Sequence, residues 1–517
     1  MTQAPTRGAS LRTSVLVAAG SGLLLALALP GTDIGPLALG ALVPLFWLWY
    51  DAGPKRGAGL GFVAGLVFFG VHLSWTWYFG AVAIVPLVAL QAGFWALAGG
   101  VVGACGRRGI RAPVVTAAIW VVAEALRTRW PLGGLAWGQV GVALHANDVG
   151  RALASWGGVP LATFAVVIVN AYLADLVRAI LSRRGGRRDR RRIERAAAGI
   201  VVVVVLAVVA TATRFEAHPT GRLRFALLQG NDKNRYLTPV ELQTNYLTRS
   251  HLALAQRLHG RYDLVVFPES SLATDPEADP SLREEITRLA RLHHTWILAN
   301  VIDERTVPGK AFNANRLYAP DGHLVGTYAK RHLVPFGEYV PWRDSLSFIG
   351  ALQQIPHDFT PGHKLGIETV AGHKIGSVIC FESAFGPLMR ANAAAGAEVI
   401  VVTTNNRSYR RSANSEQHLA LTQMSAAAIG RPVLHASISG ITAVIDADGA
   451  VHHTTELFKN TVVSGSVTTV RGETPYVRWG DWVEWGSGAI LVGAVAFALT
   501  HRRRIPTAPG PQGQEGE

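Results

Sequence analysis

Three side chains that follow apolar segments could together carry out acyl transfer. Glu269 follows LVVFP, Lys330 follows GTYA, and Cys380 follows KIGSVI. A carboxylate can take the proton from a thiol, a thiolate is a strong nucleophile, and an ammonium group can stabilise the oxyanion that forms at a carbonyl group. Taken singly, each residue has an ordinary structural explanation. Their combination predicts nucleophilic catalysis by the cysteine in an acyl-transfer reaction.

The elements around these residues must bring them together. Short β-branched runs at 224–229, 264–269, 296–301, 374–380, 399–404 and 442–447 predict buried strands. Helical segments at 239–259 and 281–294 lie between them, and Asp321-Gly322 and Asp448-Gly449 predict hairpin turns. The pattern predicts an α/β sandwich. An alanine-rich helical stretch follows Cys380, so we expect a thiol at a helix start, where the macrodipole favours the thiolate.

A second, apolar part of the chain has the composition of a membrane protein. Hydrophobic residues make up 49% of the 517 residues and are concentrated in residues 12–213 and 484–500. Eight runs are long enough, or nearly so, to cross ~30 Å of hydrocarbon. They lie at about 12–30, 34–50, 57–78, 81–104, 112–127, 155–181, 196–213 and 484–500. The fifth run ends in Glu124 and Arg127, so a re-entrant or interfacial helix fits it equally well.

The distribution of basic residues predicts the orientation of these spans. Every second loop is basic, and nine arginines lie between Arg178 and Arg195. The positive-inside rule then places the amino terminus, this arginine cluster and the carboxyl tail in the cytoplasm, and residues 214–483 outside. A juxtamembrane loop explains most of the formal charge of +14, so we do not expect nucleic-acid binding.

Four units are expected along the chain. Residues 1–213 form a bundle of seven spans, and residues 214–475 form the catalytic domain. Residues 476–504 contain a final span, and residues 505–517 form a tail rich in Pro, Gly, Gln and Glu that we expect to be disordered.

Other site chemistries fit the sequence less well. The two cysteines, Cys105 and Cys380, are expected on opposite sides of the membrane and therefore unpaired. No pair of Cys or His residues has zinc-ligand spacing, and no glycine-rich phosphate loop follows a strand. A Cys/His mechanism would leave Glu269 and Lys330 without a role. Its candidate bases are His332, His357, His363 and His373.

Several further motifs accompany the three residues. They are QGN at 229–231, HLVPFGEYVP at 332–341, CFES at 380–383 and GRPVLHASISGITAVIDADG at 430–449. With the order Glu, Lys, Cys, they resemble the nitrilase superfamily, and the apolar runs on both sides narrow the resemblance to the bacterial apolipoprotein N-acyltransferases. The resemblance covers nearly the whole chain.

The resemblance implies a fold, an activity and a location. The fold is an α-helical transmembrane bundle of about eight spans with an extracytoplasmic αββα nitrilase-like sandwich. The activity transfers an acyl chain from a phospholipid to the α-amino group of an apolipoprotein's diacylglyceryl-cysteine. The enzyme would lie in the bacterial cytoplasmic membrane, and the family needs no metal or organic cofactor.

The resemblance also implies roles for further residues. Glu338 is a second essential carboxylate near the triad. Substrate-binding positions are Trp75, Trp77, Tyr78, Phe381, Glu382, Asn405, Asn406 and Tyr409. One segment departs from the family, which has a small residue and Trp-Phe-Gly after the asparagines, whereas this chain has Arg407-Ser408-Tyr409-Arg410-Arg411. Three cations here favour an anionic headgroup.

Two other functions compete with this interpretation. A membrane-tethered nitrilase-type amidase would use the same triad on small amides, although a tether needs far fewer than eight spans. A transporter-like bundle with an accessory binding domain would not depend on Cys380.

Acyl transfer also needs mobile segments that cover the site, and we expect such lids around 342–362 and 405–413. Trp342, Phe348, Ile349 and Leu352 give the first an apolar face, although packing on its own domain explains that face equally well.

Overall fold

A computed structural model describes residues 10–181, 187–350, 352 and 358–500. The predicted tail at 505–517 and part of the first predicted lid lie outside these residues. The amino-terminal part consists of helices joined by short connections, and its long helices are α1 (Leu11–Ala28), α2 (Val43–His72), α3 (Ala81–Arg107), α4 (Pro113–Arg127), α5 (Asp148–Ile180) and α6 (Arg187–Ala212).

Five helices of the described chain are long and apolar enough to cross a membrane. They are Leu11–Ala28, Ala81–Arg107, Asp148–Ile180, Asp189–Ala212 and the last helix, Trp482–Thr500. The sequence predicted eight spans. The three predicted runs that are not among these five helices are those at 34–50, 57–78 and 112–127. Residues 43–50 and 57–72 of the runs at 34–50 and 57–78 lie in α2, which is two helices joined by a kink at Gly53-Pro54, where Gly53 has the non-helical φ 67° and ψ 173°. Trp49 before the kink lies against Gly61 after it, so the two runs remain separate segments.

The fifth predicted run is the short helix α4. Its 15 residues span about 22 Å at 1.5 Å per residue, less than the ~30 Å hydrocarbon core. Glu124 near its end is buried and accepts hydrogen bonds from Trp120 Nε1, the Val140 backbone N–H and the Thr163 hydroxyl, at 3.1, 2.9 and 3.0 Å. These hydrogen-bond donors inside the bundle explain how the Glu124 carboxyl group is accommodated in an apolar run.

The second part of the chain contains two six-stranded sheets. The first has the order β12-β1-β2-β3-β4-β5 and the second β11-β10-β9-β8-β7-β6. The strands are β1 (His218–Gln229), β2 (Leu264–Phe267), β3 (Trp296–Asp303), β4 (Phe312–Tyr318), β5 (Leu324–Ala329), β6 (Gly366–Val370), β7 (His373–Ile379), β8 (Val399–Thr404), β9 (Val433–Ser437), β10 (Ala443–Ile445), β11 (Val451–His452) and β12 (Thr461–Arg471).

The two sheets pack face to face with helices outside. Phe225 and Leu298 of the first sheet share one buried cluster with Ile375 and Val401 of the second. The helices of this part are α7 (Pro239–Gln243), α8 (Tyr246–Gln256), α9 (Pro280–His293), α10 (Gly386–Ala394), α11 (Asn414–Ile429), α12 (Pro475–Trp479) and α13 (Trp482–Thr500). Helices α8 and α9 cover the first sheet, whereas α10 and α11 cover the second. The predicted αββα sandwich is confirmed.

The predicted strands and turns agree closely with this fold. Each predicted strand overlaps an observed one, and Asp321-Gly322 and Asp448-Gly449 connect the antiparallel pairs β4–β5 and β10–β11. The predicted helix at 239–259 is divided into α7 and α8, because Asn245 between them adopts the left-handed conformation with φ 49°.

The bundle and the sandwich share buried contacts. Gln417 of α11 donates through Nε2 to the carbonyl oxygens of His72 and Pro30, at 2.9 and 3.3 Å. Its Oε1 accepts from Trp75 Nε1 at 2.9 Å. One buried amide thus joins the ends of two bundle helices to the domain that carries the candidate site.

Candidate active site

Both sheets contribute a side chain to one point. Glu269 lies two residues after β2, Lys330 directly after β5, and Cys380 directly after β7. Strands β2 and β3 are parallel, and the two antiparallel steps from β3 to β4 and from β4 to β5 restore the direction. The carboxyl ends of β2 and β5 therefore lie at the same edge, facing the end of β7.

Lys330 is the centre of a buried charge cluster. Its Nζ donates to Oε1 of Glu269 at 3.2 Å and to Oε1 of Glu338 at 2.9 Å, and its side chain is 1% exposed. Burial alone would lower the pKa of Lys330, but the two carboxylates overcome this effect and hold the pKa well above its usual value. The ammonium group therefore remains charged, as oxyanion stabilisation requires.

Asn313 links the same two carboxylates. Its Nδ2 donates to Oε1 of Glu269 at 2.8 Å and to Oε1 of Glu338 at 2.7 Å. Its Oδ1 accepts from Nδ2 of Asn300 at 2.8 Å, and Asn300 also donates to Asn315. This chain of amides fixes both carboxylates around the ammonium group, and we had not singled out any of the three asparagines from the sequence.

The thiol of Cys380 is protonated at rest. Burial and the Glu269 carboxylate raise its pKa to about 12, against the opposing effects of Lys330 and of hydrogen bonds from the Thr404 side chain and the Asn405 backbone. The expectation of a thiolate favoured by a helix start is wrong, because Cys380 begins only a five-residue 3-10 helix, Cys380–Ala384. With φ 52°, Cys380 lies on a sharp turn, and its thiol needs a base.

Glu382 is bonded to neighbouring protein segments and is not exposed in the site. It is fully buried, and the Tyr328 hydroxyl donates to both of its carboxylate oxygens at 2.8 Å. The backbone N–H groups of Arg331 and Ile379 donate to it at 2.8 and 2.7 Å. Donors from the protein therefore occupy both oxygens of Glu382. We replace the substrate-binding role that the resemblance implied with a positioning role, in which Glu382 joins the segments that carry Lys330 and Cys380.

Aromatic residues of the bundle form one wall of the site. The Trp137 ring stacks on Phe381 at 5.4 Å between centroids, with 14° between the planes. Tyr409 packs edge-on against Trp75 at 4.9 Å. The Tyr409 hydroxyl lies close enough to Cys380 and Glu269 for these groups, after burial, to raise the pKa of Tyr409. The site therefore includes residues from both parts of the chain.

The other predicted substrate-binding residues lie at different depths. Trp75, Trp77 and Tyr78 belong to a 3-10 helix, Ser74–Phe79, that follows α2. Trp75 is 8% exposed, whereas Trp77 is 63% exposed. The backbone of Asn405 reaches the thiol, but the Asn406 side chain is buried and donates to Asn414 Oδ1 at 2.8 Å. A structural role therefore replaces the one implied for Asn406.

The two predicted lids differ in packing. In the first, Trp342 and Phe348 are 68% and 81% exposed, and residues 351 and 353–357 lie outside the described chain. The apolar face predicted for this lid is therefore not packed on the domain at these two positions. In the second, residues 405–413, Tyr409 is half-buried against the bundle.

The histidines near the thiol do not act on its sulfur. His418 Nε2 lies 3.0 Å from the carbonyl oxygen of Cys380 and 2.9 Å from the Ser383 hydroxyl. His332 stacks on Phe385 at 3.9 Å, and His373 pairs with Glu398. His357 lies outside the described residues. The geometry favours Glu269 as the base over a Cys/His dyad.

Sequence signals for the missed residues exist. Asn313 and Asn315 alternate with apolar residues in β4, so their side chains share one face of a buried strand. Tyr328 lies two residues before Lys330, on the same face of its strand. Polar residues at period two inside an apolar strand indicate an inward-facing network, because buried polar groups need partners.

Comparison with known proteins agrees with both parts of the chain. Residues 21–172 match the apolipoprotein N-acyltransferase N-terminal domain, and residues 225–476 match the carbon-nitrogen hydrolase family. Relatives named apolipoprotein N-acyltransferase include one from Methylococcus capsulatus, 32% identical over 98% of this chain and 99% of its own. Another, from Geobacter metallireducens, is 30% identical over 94% and 96%. The chain therefore belongs to the apolipoprotein N-acyltransferase family.

Proposed function

We propose that this chain takes an acyl chain from a membrane phospholipid, holds it as a thioester on Cys380, and transfers it to the α-amino group of an apolipoprotein's N-terminal diacylglyceryl-cysteine. The observation that carries the proposal is the shared site: a thiol beside Glu269 and Lys330 is walled by Trp75 and Trp137 of the bundle. An enzyme for small soluble amides has no need of membrane residues around its nucleophile.

In the first half-reaction, Glu269 accepts the Cys380 proton. The thiolate attacks the carbonyl carbon of the sn-1 ester, and the ammonium group of Lys330, with a backbone N–H group, stabilises the oxyanion. The carbon–oxygen bond to glycerol then breaks, and the leaving oxygen takes the proton from Glu269. Lysophospholipid departs and the acyl chain remains as a thioester.

In the second half-reaction, the α-amino group of the acceptor attacks the thioester carbonyl carbon. Glu269 accepts the proton of the amine, the carbon–sulfur bond breaks, and the same proton returns to the Cys380 sulfur. The product is an amide on a triacylated lipoprotein, and the thiol is regenerated. The two substrates therefore use one site in turn, which predicts ping-pong kinetics.

The bundle has a physical role in this reaction. Both substrates carry acyl chains, and moving an acyl chain from the bilayer into water costs about 0.8 kcal/mol per CH₂ group. Trp75, Trp137 and Tyr409 connect the bundle to the wall of the site that contains the thiol. The site therefore adjoins the membrane part, and the head regions of both substrates can reach Cys380 while their acyl chains stay in the bilayer.

The same proposal includes a topology. Seven spans in residues 1–213 and one in 476–504 would place the domain at 214–475 on the extracytoplasmic face of a bacterial cytoplasmic membrane. The alternation of basic loops supports this orientation. Labelling of Thr468→Cys, in a Cys105→Ala background, by a membrane-impermeant maleimide in spheroplasts tests it, and labelling only after lysis would reverse it.

Intact-mass analysis of the purified protein tests the chemistry. After incubation with a phospholipid of defined acyl chains, we expect a mass increase of one acyl chain that hydroxylamine removes and that Cys380→Ser lacks. Addition of a diacylglyceryl-cysteine peptide should discharge it. Turnover of small amides without an acyl adduct would instead establish the tethered amidase, and an unchanged cellular function of Cys380→Ala would favour the transporter-like alternative.

A further inference from the structure

Two guanidinium groups beside the site have no carboxylate partner. Arg407 and Arg410 are half-buried, yet among the described residues no carboxylate lies within ion-pair distance of either. Other buried arginines of this chain direct their guanidinium groups to acceptors within the protein: Arg316 to the carboxylate of Asp275, and Arg127 and Arg431 to backbone carbonyl oxygens. Burial lowers the pKa of Arg407, so withdrawing this charge from water is unfavourable without an anion.

Arg410 lies where three segments meet. Its guanidinium carbon is 5.0 Å from the ring centroid of Tyr236 and 5.8 Å from that of Tyr78, and its Nη1 donates to the Asn234 carbonyl oxygen at 3.1 Å. Tyr78 is 46% exposed in the 3-10 helix that follows α2. The cation therefore lies between the exposed aromatic end of the bundle and the sandwich.

Tyr409, between the two arginines, connects them to the chemistry. Its ring packs on Trp75 and Phe79, at 4.9 and 5.7 Å, and its hydroxyl is close enough to Cys380 for the two to interact electrostatically. A lipid whose sn-1 carbonyl reaches the thiol carries its phosphate only one glycerol unit away. The phosphate of such a lipid therefore comes close to the segment that contains Tyr409.

We propose that Arg407 and Arg410 form a headgroup subsite that selects phospholipid donors of net negative charge, such as phosphatidylglycerol, over zwitterionic ones. Guanidinium groups bind phosphate oxygens through charge-assisted hydrogen bonds. All phospholipids offer the phosphate, but a zwitterionic headgroup brings a third cation next to the two guanidinium groups, which repel it. The subsite rests on the proposed function, because it needs a phospholipid donor.

Acylation without any acceptor tests this subsite. The full-length enzyme is incubated with phosphatidylglycerol or phosphatidylethanolamine of identical acyl chains in mixed micelles, and the Cys380 adduct is followed by intact mass. We expect phosphatidylglycerol to react about tenfold faster, which corresponds to a repulsion of about 1.4 kcal/mol between the headgroup cation and the guanidinium groups. Arg407→Gln and Arg410→Gln should each lower mainly the phosphatidylglycerol rate, so that the ratio falls toward one.

Two further variants control for charge and folding. Arg410→Lys keeps the charge and should retain more of the preference than Arg410→Gln. Arg257→Gln removes an exposed arginine at the end of α8 and should leave the ratio unchanged.

Three results would overturn the subsite alone, and a fourth would overturn the proposed function as well. The first is equal rates with the two lipids in the unmodified enzyme, and the second is an equal loss of both rates in the glutamine variants. The third is an effect seen only when an acidic acceptor peptide is added, which would assign the arginines to the acceptor. No adduct with any phospholipid would refute the proposed function itself, together with the subsite.

Discussion

The thiol of Cys380 offers a test of Glu269 as the general base, through the variant Glu269→Gln. Burial and the Glu269 carboxylate raise the thiol pKa to about 12. At a pH of about 8, such a thiol is ionised in roughly one molecule in ten thousand, since each pKa unit is a factor of ten. Acylation at that pH therefore depends on a base that removes the proton as the thiol attacks.

The substitution has two effects of opposite sign. It removes a negative charge that raises the thiol pKa and leaves the ammonium group of Lys330, which lowers it, so the thiol pKa falls and the resting thiolate population rises. It also removes the group that accepts the proton. General-base catalysis typically contributes about 10²–10⁴-fold, and we expect acylation by phospholipid to slow by a factor in this range.

Both effects can be read by intact mass in a Cys105→Ala background, where Cys380 is the only thiol. Alkylation by a small neutral maleimide reports the thiolate population. In the parent protein, the alkylation rate of Cys380 should keep rising with pH up to and beyond about 10, without a plateau. In Glu269→Gln, Cys380 should be alkylated faster than in the parent at each pH below that value. Glu284→Gln, at an exposed position on α9, serves as the matched control for both rates.

Either of two results would refute this reasoning. If Glu269→Gln slowed alkylation and acylation by the same factor, the carboxylate would orient the thiol and would not act as its base. Acylation at the parent rate would remove Glu269 from the mechanism altogether.

Three further substitutions test the supporting contacts, each by apparent Tm in detergent and by acylation rate. Asn313→Leu leaves the two carboxylates beside the ammonium group without a shared amide donor and should cost about 3 kcal/mol of stability; an unchanged Tm would contradict this. Tyr328→Phe removes the hydroxyl that serves both oxygens of Glu382 and should cost about 1–2 kcal/mol, with no additional loss when combined with Glu382→Gln if the two act as a pair. Trp75→Phe keeps the aromatic contact but loses the hydrogen bond to Gln417, so it should slow acylation less than Trp75→Ala; equal effects would make the aromatic wall irrelevant.

Much of the catalytic domain could be predicted from the order of residues. Strand segments such as 264–269 and 399–404 are short, β-branched and apolar, and such segments form buried strands in most contexts. The hairpins at Asp321-Gly322 and Asp448-Gly449 depend on local backbone preferences. The ordered appearance of Glu269, Lys330 and Cys380 at strand ends was enough to infer a nucleophile, a cation and a base.

The partners of these residues could not be predicted in the same way. Whether Glu382 faces substrate or protein depends on the turn at Cys380, which directs the carboxylate toward Tyr328 and the backbone of Arg331. The shift of the thiol pKa was predicted with the wrong sign, because the dipole of a five-residue 3-10 helix is outweighed by desolvation and by a neighbouring carboxylate, which both raise this pKa.

Residue types and their order along the chain determined the apolar bundle and the αββα sandwich and indicated the three candidate reacting groups, because hydrophobic periodicity, turn preferences and functional-group chemistry are local properties. Folding alone decided how the parts meet. The contact between Trp137 and Phe381 joins residues far apart in the chain, and the amides at Asn300 and Asn313 meet through strand register. The kink at Gly53-Pro54 brings Trp49 of one apolar run against Gly61 of the next. Each depends on packing between distant segments, and packing distances are absent from a linear pattern.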